Sequence, residues 1–111
     1  MSMPKQASGL VSELLRDDPD MHDLVAEFVY GLDHRIQEIR QAYQQNDWDR
    51  LTTLTHQIKG AGGSYGFPSL SALGATMETG AKSRQSDPFA DWMQQLAALA
   101  AAAKAGLREV H

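Results

Sequence analysis

The sequence predicts an all-α fold, an antiparallel four-helix bundle with a short additional N-terminal helix. Apolar residues recur at spacings of three and four along nearly the whole chain, which is the period of an amphipathic helix. The breaks between the periodic segments are short and contain Asp, Asn, Gly or Pro. Short connections between long helices place consecutive helices antiparallel.

The first two helices are separated by the sequence DDPD at residues 17–20. The short first helix is predicted over residues 8–16, and Asp20 is a candidate N-cap for the second. The second helix is predicted over residues 21–45. Its spacing of apolar residues predicts one buried stripe. This stripe comprises Leu24, Val25, Phe28, Leu32, Ile36, Ile39 and Tyr43.

Three more helices follow, each with its own start signal. Asn46 and Asp47 end the second helix and cap the third, which opens at Trp48 and closes at Gly66. Pro68 suits the first turn of the fourth helix. The fourth helix presents Leu70, Leu73 and Met77 as its apolar face. The sequence SDP at 86–88 caps the last helix, whose stripe includes Phe89, Trp92, Met93, Leu96, Ala100, Ala103 and Leu107.

Length and composition restrict the class of protein. The 111 residues fit one domain, predicted over residues 8–111, with residues 1–7 interpreted as a disordered N-terminal segment or a tag remnant. The net charge of -4 argues against a nucleic-acid partner. No apolar run is long enough to span a membrane, so we expect a cytoplasmic protein without direct membrane contact. There is no cysteine for a disulfide or a thiolate metal site. A monomer is expected, although nothing in the sequence excludes a dimer.

The third helix carries a histidine on its outer face. On a helical wheel at about 100° per residue, the apolar residues of this helix centre near 315°, whereas His56 falls near 140°. The ring is therefore expected to face solvent rather than the core. The apolar residues that define the inner face are Leu51, Leu54, Ile58, Ala61 and Tyr65.

The neighbours of this histidine on the outer face are small or charged. Asp49 and Thr52 precede it by seven and four positions. Lys59, Gly60 and Gly63 follow it by three, four and seven, and these spacings place side chains on one helix face. The histidine is thus expected to lie beside one cation and a stretch of nearly bare backbone.

The glycines of the third helix allow two interpretations. Glycines late in a helix usually mark its C-terminus, which suits Gly66, and close helix packing accounts for Gly62. Gly60 and Gly63 lie on the face of the histidine, where missing side chains make sense if another macromolecule must approach the imidazole closely. An exposed histidine is also commonly no more than a solvated side chain.

The residues from the histidine onward have a further pattern: an apolar residue two positions later, Lys-Gly at three and four, a glycine near ten, and leucines in the next helix. This sequence carries it as His56, Ile58, Lys59, Gly60, Gly66, Leu70 and Leu73. The pattern resembles the signature of the histidine-containing phosphotransfer (HPt) domain, the carrier module of two-component phosphorelays. The helical bundle is also typical of that family, so the resemblance covers nearly the whole chain.

The resemblance implies a phosphoryl carrier without kinase activity of its own. His56 would be the phospho-accepting residue, and Lys59 would favour the phosphorylated form. Gly60 would admit the partner. Glu78, on the fourth helix, would orient the imidazole by a hydrogen bond, and Lys82 would add a second positive charge near the phosphoryl group.

The resemblance also implies the partners. These would be response-regulator receiver domains and a sensor (hybrid) histidine kinase. Asp49, Thr52 and Gly63 are candidate docking residues for a receiver by position only. No cofactor is expected in the chain itself, and the Mg²⁺ that phosphoryl transfer needs would come from the receiver domain.

Two rival functions can be weighed from the residues. A bundle that holds a metal or cofactor would need inward carboxylates and histidines, typically as Glu-x-x-His, and that motif does not occur in the sequence. An HPt-like adaptor would bind receiver or kinase domains without phosphotransfer. The presence of His56 argues against the adaptor, because loss of the histidine would mark that case.

Overall fold

In a computed structural model, which describes residues 9–109, the chain forms five α-helices and one 3₁₀ turn. The helices are α1 (Glu13–Asp17), α2 (His22–Gln44), α3 (Trp48–Ser64), α4 (Pro68–Lys82) and α5 (Ser86–Glu109), and the 3₁₀ turn is Pro19–Met21. Residues 9–109 contain no β-strand. The predicted all-α bundle is confirmed. The segment predicted to be disordered, residues 1–7, lies outside the described residues.

The long helices run antiparallel to their neighbours. The end of α2 meets the start of α5, where the Tyr43 hydroxyl donates to the Ser86 carbonyl at 2.8 Å. Phe28, early in α2, stacks on Tyr65 at the end of α3, with ring centroids 4.6 Å apart. The helices enclose one apolar core, and its largest fully buried side chains include Phe67, Phe89, Leu32, Ile39, Leu51, Ile58, Leu70 and Met77.

The predicted start of the first helix at residue 8 was wrong. Helix α1 begins at Glu13, because the buried Ser12 is its N-cap and accepts hydrogen bonds from the amides of Leu14 and Leu15. Before it, the chain runs across α5, and the Leu10 amide donates to the Ala102 carbonyl at 2.8 Å. Helical periodicity predicted a helix here because Leu10 and Leu14 are both apolar, but backbone pairing with α5 takes its place.

Three further expectations for α2 were wrong. Asp20 is not its N-cap, because Asp18 accepts the Asp20 amide at 3.1 Å and caps the 3₁₀ turn that leads directly into α2. Leu24 does not belong to the buried stripe, since it is 47% exposed. It lies about 100° around the helix from the fully buried Val25, at the edge of the apolar face. Tyr43, at the other end of the stripe, is half-buried rather than buried.

Helices α3 and α4 pack backbone against backbone at two glycines. A Cβ on Gly62 would lie 2.8 Å from the Ser71 amide nitrogen, and one on Gly74 would lie 2.6 Å from the Lys59 amide nitrogen. These distances are too short for any side chain, so both glycines are required by the contact. The turn between the helices also needs glycine, because Gly66 has a φ of +83°.

The contact between α3 and α4 predicts opposite effects for two glycine-to-alanine changes. Gly74→Ala should lower the free energy of unfolding by about 1–3 kcal/mol, because the new methyl group must push the helices apart. Gly60→Ala should raise it by up to about 1 kcal/mol, since Gly60 is helical and a Cβ added there would meet nothing within 4 Å beyond the backbone of its own helix. Urea denaturation of the two variants measures both effects. A stabilising Gly74→Ala change would contradict the proposed packing.

Candidate functional site

Helix α3 presents His56 to solvent. Asp47 caps the helix by accepting the Arg50 amide at 3.1 Å, and the opposite face is buried through Leu51, Leu54 and Ile58. The His56 side chain is 65% exposed. The preceding Thr55 is buried, and its hydroxyl donates to the Leu51 carbonyl at 2.7 Å, so this polar group is satisfied within the helix. The helix therefore holds the imidazole firmly at its base and leaves the ring accessible.

Glu78, on α4, is the centre of the site. Its Oε2 lies 3.0 Å from Nδ1 of His56, within hydrogen-bond distance. Lys59 Nζ lies 3.7 Å from Oε1, and Lys82 Nζ lies 3.7 Å from Oε2. The carboxylate side chain is only 12% exposed, whereas both lysines are far more exposed. One carboxylate thus contacts the imidazole and two cations at once.

The close packing of α3 and α4 brings these four side chains together. Lys59 is one turn after His56 on α3, and Lys82 is one turn after Glu78 on α4. The two pairs lie opposite each other because Gly74 lets α4 approach the backbone of Lys59 directly. With the helices so close, the short side chain of a glutamate reaches the imidazole.

The charges around Glu78 decide its ionisation. Burial raises the pKa of this carboxyl, but the hydrogen bond from His56 and the positive charges of His56, Lys82 and Lys59 outweigh that effect. The net result is a pKa below the ordinary value of 4.5. Glu78 is therefore ionised at neutral pH and acts only as a hydrogen-bond acceptor.

The ionised carboxylate assigns the tautomer of His56. A carboxylate can only accept a hydrogen bond, so Nδ1 must carry the proton that it donates to Glu78. In the neutral ring the lone pair is then on Nε2, the nitrogen on the far side of the ring. The hydrogen-bond network thus leaves Nε2 as the nucleophilic atom of an exposed imidazole.

The glycines of α3 differ in what surrounds them. A Cβ on Gly60 would meet nothing within 4 Å, so no neighbour within the described chain requires a glycine there. A Cβ on Gly63 would make ordinary contact with the Ser71 side chain at 3.6 Å. Gly62 packs against α4, as the interpretation by close helix packing predicted. The outer surface of α3 one turn after His56 is therefore bare backbone at Gly60.

The remaining candidate residues lie outside the group formed by His56, Lys59, Glu78 and Lys82. Asp49 is exposed near the start of α3. Thr52 is half-buried, and its hydroxyl donates to the Trp48 carbonyl at 2.9 Å. Both lie on the same helix as His56, Asp49 two turns and Thr52 one turn before it. Gly74, whose small size positions Glu78, was not singled out from the sequence, although a glycine between Leu70 and Met77 on the apolar side of α4 was the signal for it.

The described residues were also searched for a metal site and for a membrane-spanning helix. Among the described residues, no group of three or more His, Asp or Glu side chains is arranged to hold a metal ion. No helix within residues 9–109 is both long enough and apolar enough to cross a membrane.

Comparison with protein families identifies the domain. The family model of the Hpt domain matches residues 23–106. The chain belongs to the Hpt domain family. Hpt domains are phosphoryl carriers of two-component phosphorelays rather than kinases, and they interact with histidine kinases and response regulators. A search of curated proteins and a search of solved structures found no match.

The lowered pKa of Glu78 predicts a pH-dependent effect of Glu78→Gln. A carboxyl with a lowered folded-state pKa stabilises the fold above its unfolded pKa and loses that contribution as the pH falls through the folded value. The difference in unfolding free energy between the native protein and Glu78→Gln should therefore be largest above pH 4.5 and shrink below it. Urea denaturation at a series of pH values measures this difference.

The matched control for this experiment is Glu27→Gln, which makes the same change at an exposed position on α2. A difference between native protein and Glu78→Gln that stays constant from neutral to acidic pH would contradict an ionised Glu78 held by its three neighbours.

Proposed function

We propose that this Hpt domain accepts a phosphoryl group on Nε2 of His56 from an aspartate of a receiver domain, and donates it to another. The observation that carries the proposal is the hydrogen bond between Nδ1 and Glu78, on a ring that is otherwise exposed. It leaves a nucleophilic nitrogen facing outward on a helix surface that Gly60 keeps bare.

No proton leaves the imidazole ring during the proposed transfer. The Nε2 lone pair forms a bond to phosphorus, and the bond from phosphorus to the aspartate oxygen breaks, with the electron pair leaving on the carboxylate. The product ring retains its Nδ1 proton and becomes positively charged. Glu78 offsets that charge at 3.0 Å, which favours the phosphorylated form. The reverse transfer to a second receiver follows the same path backward.

Lys59 and Lys82 are proposed to support the transferring group. Both are attached by long flexible side chains and reach Glu78 at 3.7 Å, so small rotations would bring either ammonium toward a phosphoryl group on Nε2. Two cations beside one carboxylate leave a net positive charge at the site. Phosphoryl transfer depends mainly on positioning and on stabilising the spread negative charge of the transition state.

The receiver domain is proposed to supply what this chain does not. Its acidic residues would hold the Mg²⁺ that bridges the phosphoryl oxygens. Its surface would dock over Gly60 and Gly63, with Asp49 and Thr52 as candidate contacts along α3. A sensor (hybrid) histidine kinase is the proposed source of the phosphoryl group that enters the relay.

Transfer from a phosphorylated receiver domain tests the role of His56. The native chain should acquire an acid-labile, alkali-stable label, and His56→Gln should acquire none. His34→Gln is the matched control, because His34 is also an exposed histidine and should leave labelling unchanged. NMR of the labelled ring should place phosphorus on Nε2. If the native chain binds receivers but takes no label from any of them, the chain is an adaptor instead.

The bare backbone at Gly60 predicts a graded effect of side-chain size on transfer. Gly60→Leu should slow transfer by about tenfold or more, because its side chain would occupy the space through which the receiver approaches. Gly60→Ala should have a smaller effect on the rate. Neither variant should be less stable than the native chain, so a loss of activity would report docking rather than folding. Transfer by Gly60→Leu at the native rate would remove Gly60 from the docking surface.

A further inference from the structure

The single chain already supplies the contacts that prepare His56 for reaction. Glu78 Oε2 lies 3.0 Å from Nδ1, and the side chain of His56 is 65% exposed. Lys59 and Lys82 each place an ammonium 3.7 Å from the same carboxylate. All four side chains belong to α3 and α4, so no residue of a receiver domain is needed to fix the tautomer or to bring cations beside the ring.

The charges of this site favour a small anion. The two lysines carry two positive charges and the ionised Glu78 carries one negative charge, which leaves one positive charge in sum. Asp49 is the acidic residue on α3, and it lies seven residues before His56, about 10 Å along the helix. Exposed cations attract an anion from solution, and added salt weakens that attraction. The site can therefore concentrate a small phosphoryl donor near Nε2.

We propose that His56 also accepts a phosphoryl group directly from N-phosphorylated small molecules, of which phosphoramidate is the simplest. The proposal rests on the proposed function, in that His56 is the phosphoryl acceptor, but it needs no receiver domain. A phosphoramidate offers the imidazole one electrophile, its phosphorus atom. A small acyl phosphate in solution would offer a second one, its carbonyl carbon, which an exposed imidazole can attack as well.

The reaction transfers one phosphoryl group and releases ammonia. Near neutral pH, phosphoramidate is a monoanion whose nitrogen carries three hydrogens and a positive charge. The Nε2 lone pair forms a bond to phosphorus while the phosphorus–nitrogen bond breaks, and the electron pair of that bond leaves with the nitrogen as ammonia. The ring keeps its Nδ1 proton and becomes positively charged beside Glu78. Because the leaving nitrogen is already protonated, its departure needs no general acid.

A second exposed histidine shows what the site adds. His34 on α2 is 80% exposed, so a small molecule reaches it at least as readily as His56. Its neighbour Glu38 lies 3.9 Å from Nε2 rather than beside Nδ1, beyond hydrogen-bond distance. Arg50 pairs with Glu38 at 3.4 Å. Within the described chain, His34 therefore has no hydrogen bond like the one that fixes Nδ1 of His56, and it serves as a reference in the same molecule.

Labelling by phosphoramidate without any receiver domain tests the proposal. The full chain is incubated with phosphoramidate at a fixed neutral pH with a metal chelator, and the label on each histidine is followed by peptide mass spectrometry and phosphorus NMR. His56 should be labelled about tenfold or more faster than His34. Added salt should slow the labelling of His56 more than that of His34. In urea the two histidines should react at similar rates, because the contacts between α3 and α4 are lost.

Substitutions at the cations make the test specific. Lys82→Gln should slow the labelling of His56 by about threefold or more at low phosphoramidate concentration, and Lys82→Arg should restore it because arginine keeps the charge. Lys104→Gln is the matched control, since Lys104 pairs with Asp33 between α5 and α2. Gly60→Leu should slow transfer from a receiver far more than labelling by phosphoramidate, because the small donor needs no room for a second protein.

Equal labelling rates at His56 and His34 in the folded chain would overturn the proposal, because His56 would then have only the reactivity of a solvated imidazole. A preference for His56 that persists in urea would overturn it as well, since the local sequence would then be the cause. Labelling of His56 by a receiver but not by phosphoramidate would overturn this proposal alone. Rapid labelling by phosphoramidate but by no receiver would support it and overturn the proposed transfer between proteins.

Discussion

The close approach of α3 and α4 at Gly62 and Gly74 is the contact on which the site depends. It brings the backbone of Lys59 within 2.6 Å of where a Gly74 side chain would begin, so the separation of the two helices is set by the absence of two methyl groups. At that separation the carboxylate of Glu78 reaches Nδ1 of His56. A wider separation would break this hydrogen bond, and the tautomer of the imidazole would no longer be defined.

The glycines of this region serve different physical purposes. Gly62 and Gly74 are needed inside the protein, where a larger residue would collide with the neighbouring backbone. Gly66 is needed for a left-handed turn between helices. Gly60 has none of these constraints. It lowers helix stability, although no neighbour within the described chain requires a glycine there. In the proposed function, this bare backbone is where the receiver domain approaches His56.

Helix α4 has two chemically different faces. One carries Glu78 and Lys82 toward His56, where charge is concentrated around a single carboxylate. The other is free of charge and borders a groove with α5. Charge of this kind suits the proposed handling of a phosphoryl group.

The all-α fold, the order of the long helices and the outward direction of His56 could be predicted from the sequence, because helical periodicity and capping are local properties. Resemblance to HPt domains added a role for Glu78. Only the tertiary structure decided that Nδ1 faces Glu78, that both lysines share this carboxylate, and that α4 and α5 leave a groove. It also replaced the first half of the predicted N-terminal helix with an extended segment on α5, and moved Leu24 out of the core. These features depend on how closely separate helices approach, which residues distant in sequence determine together.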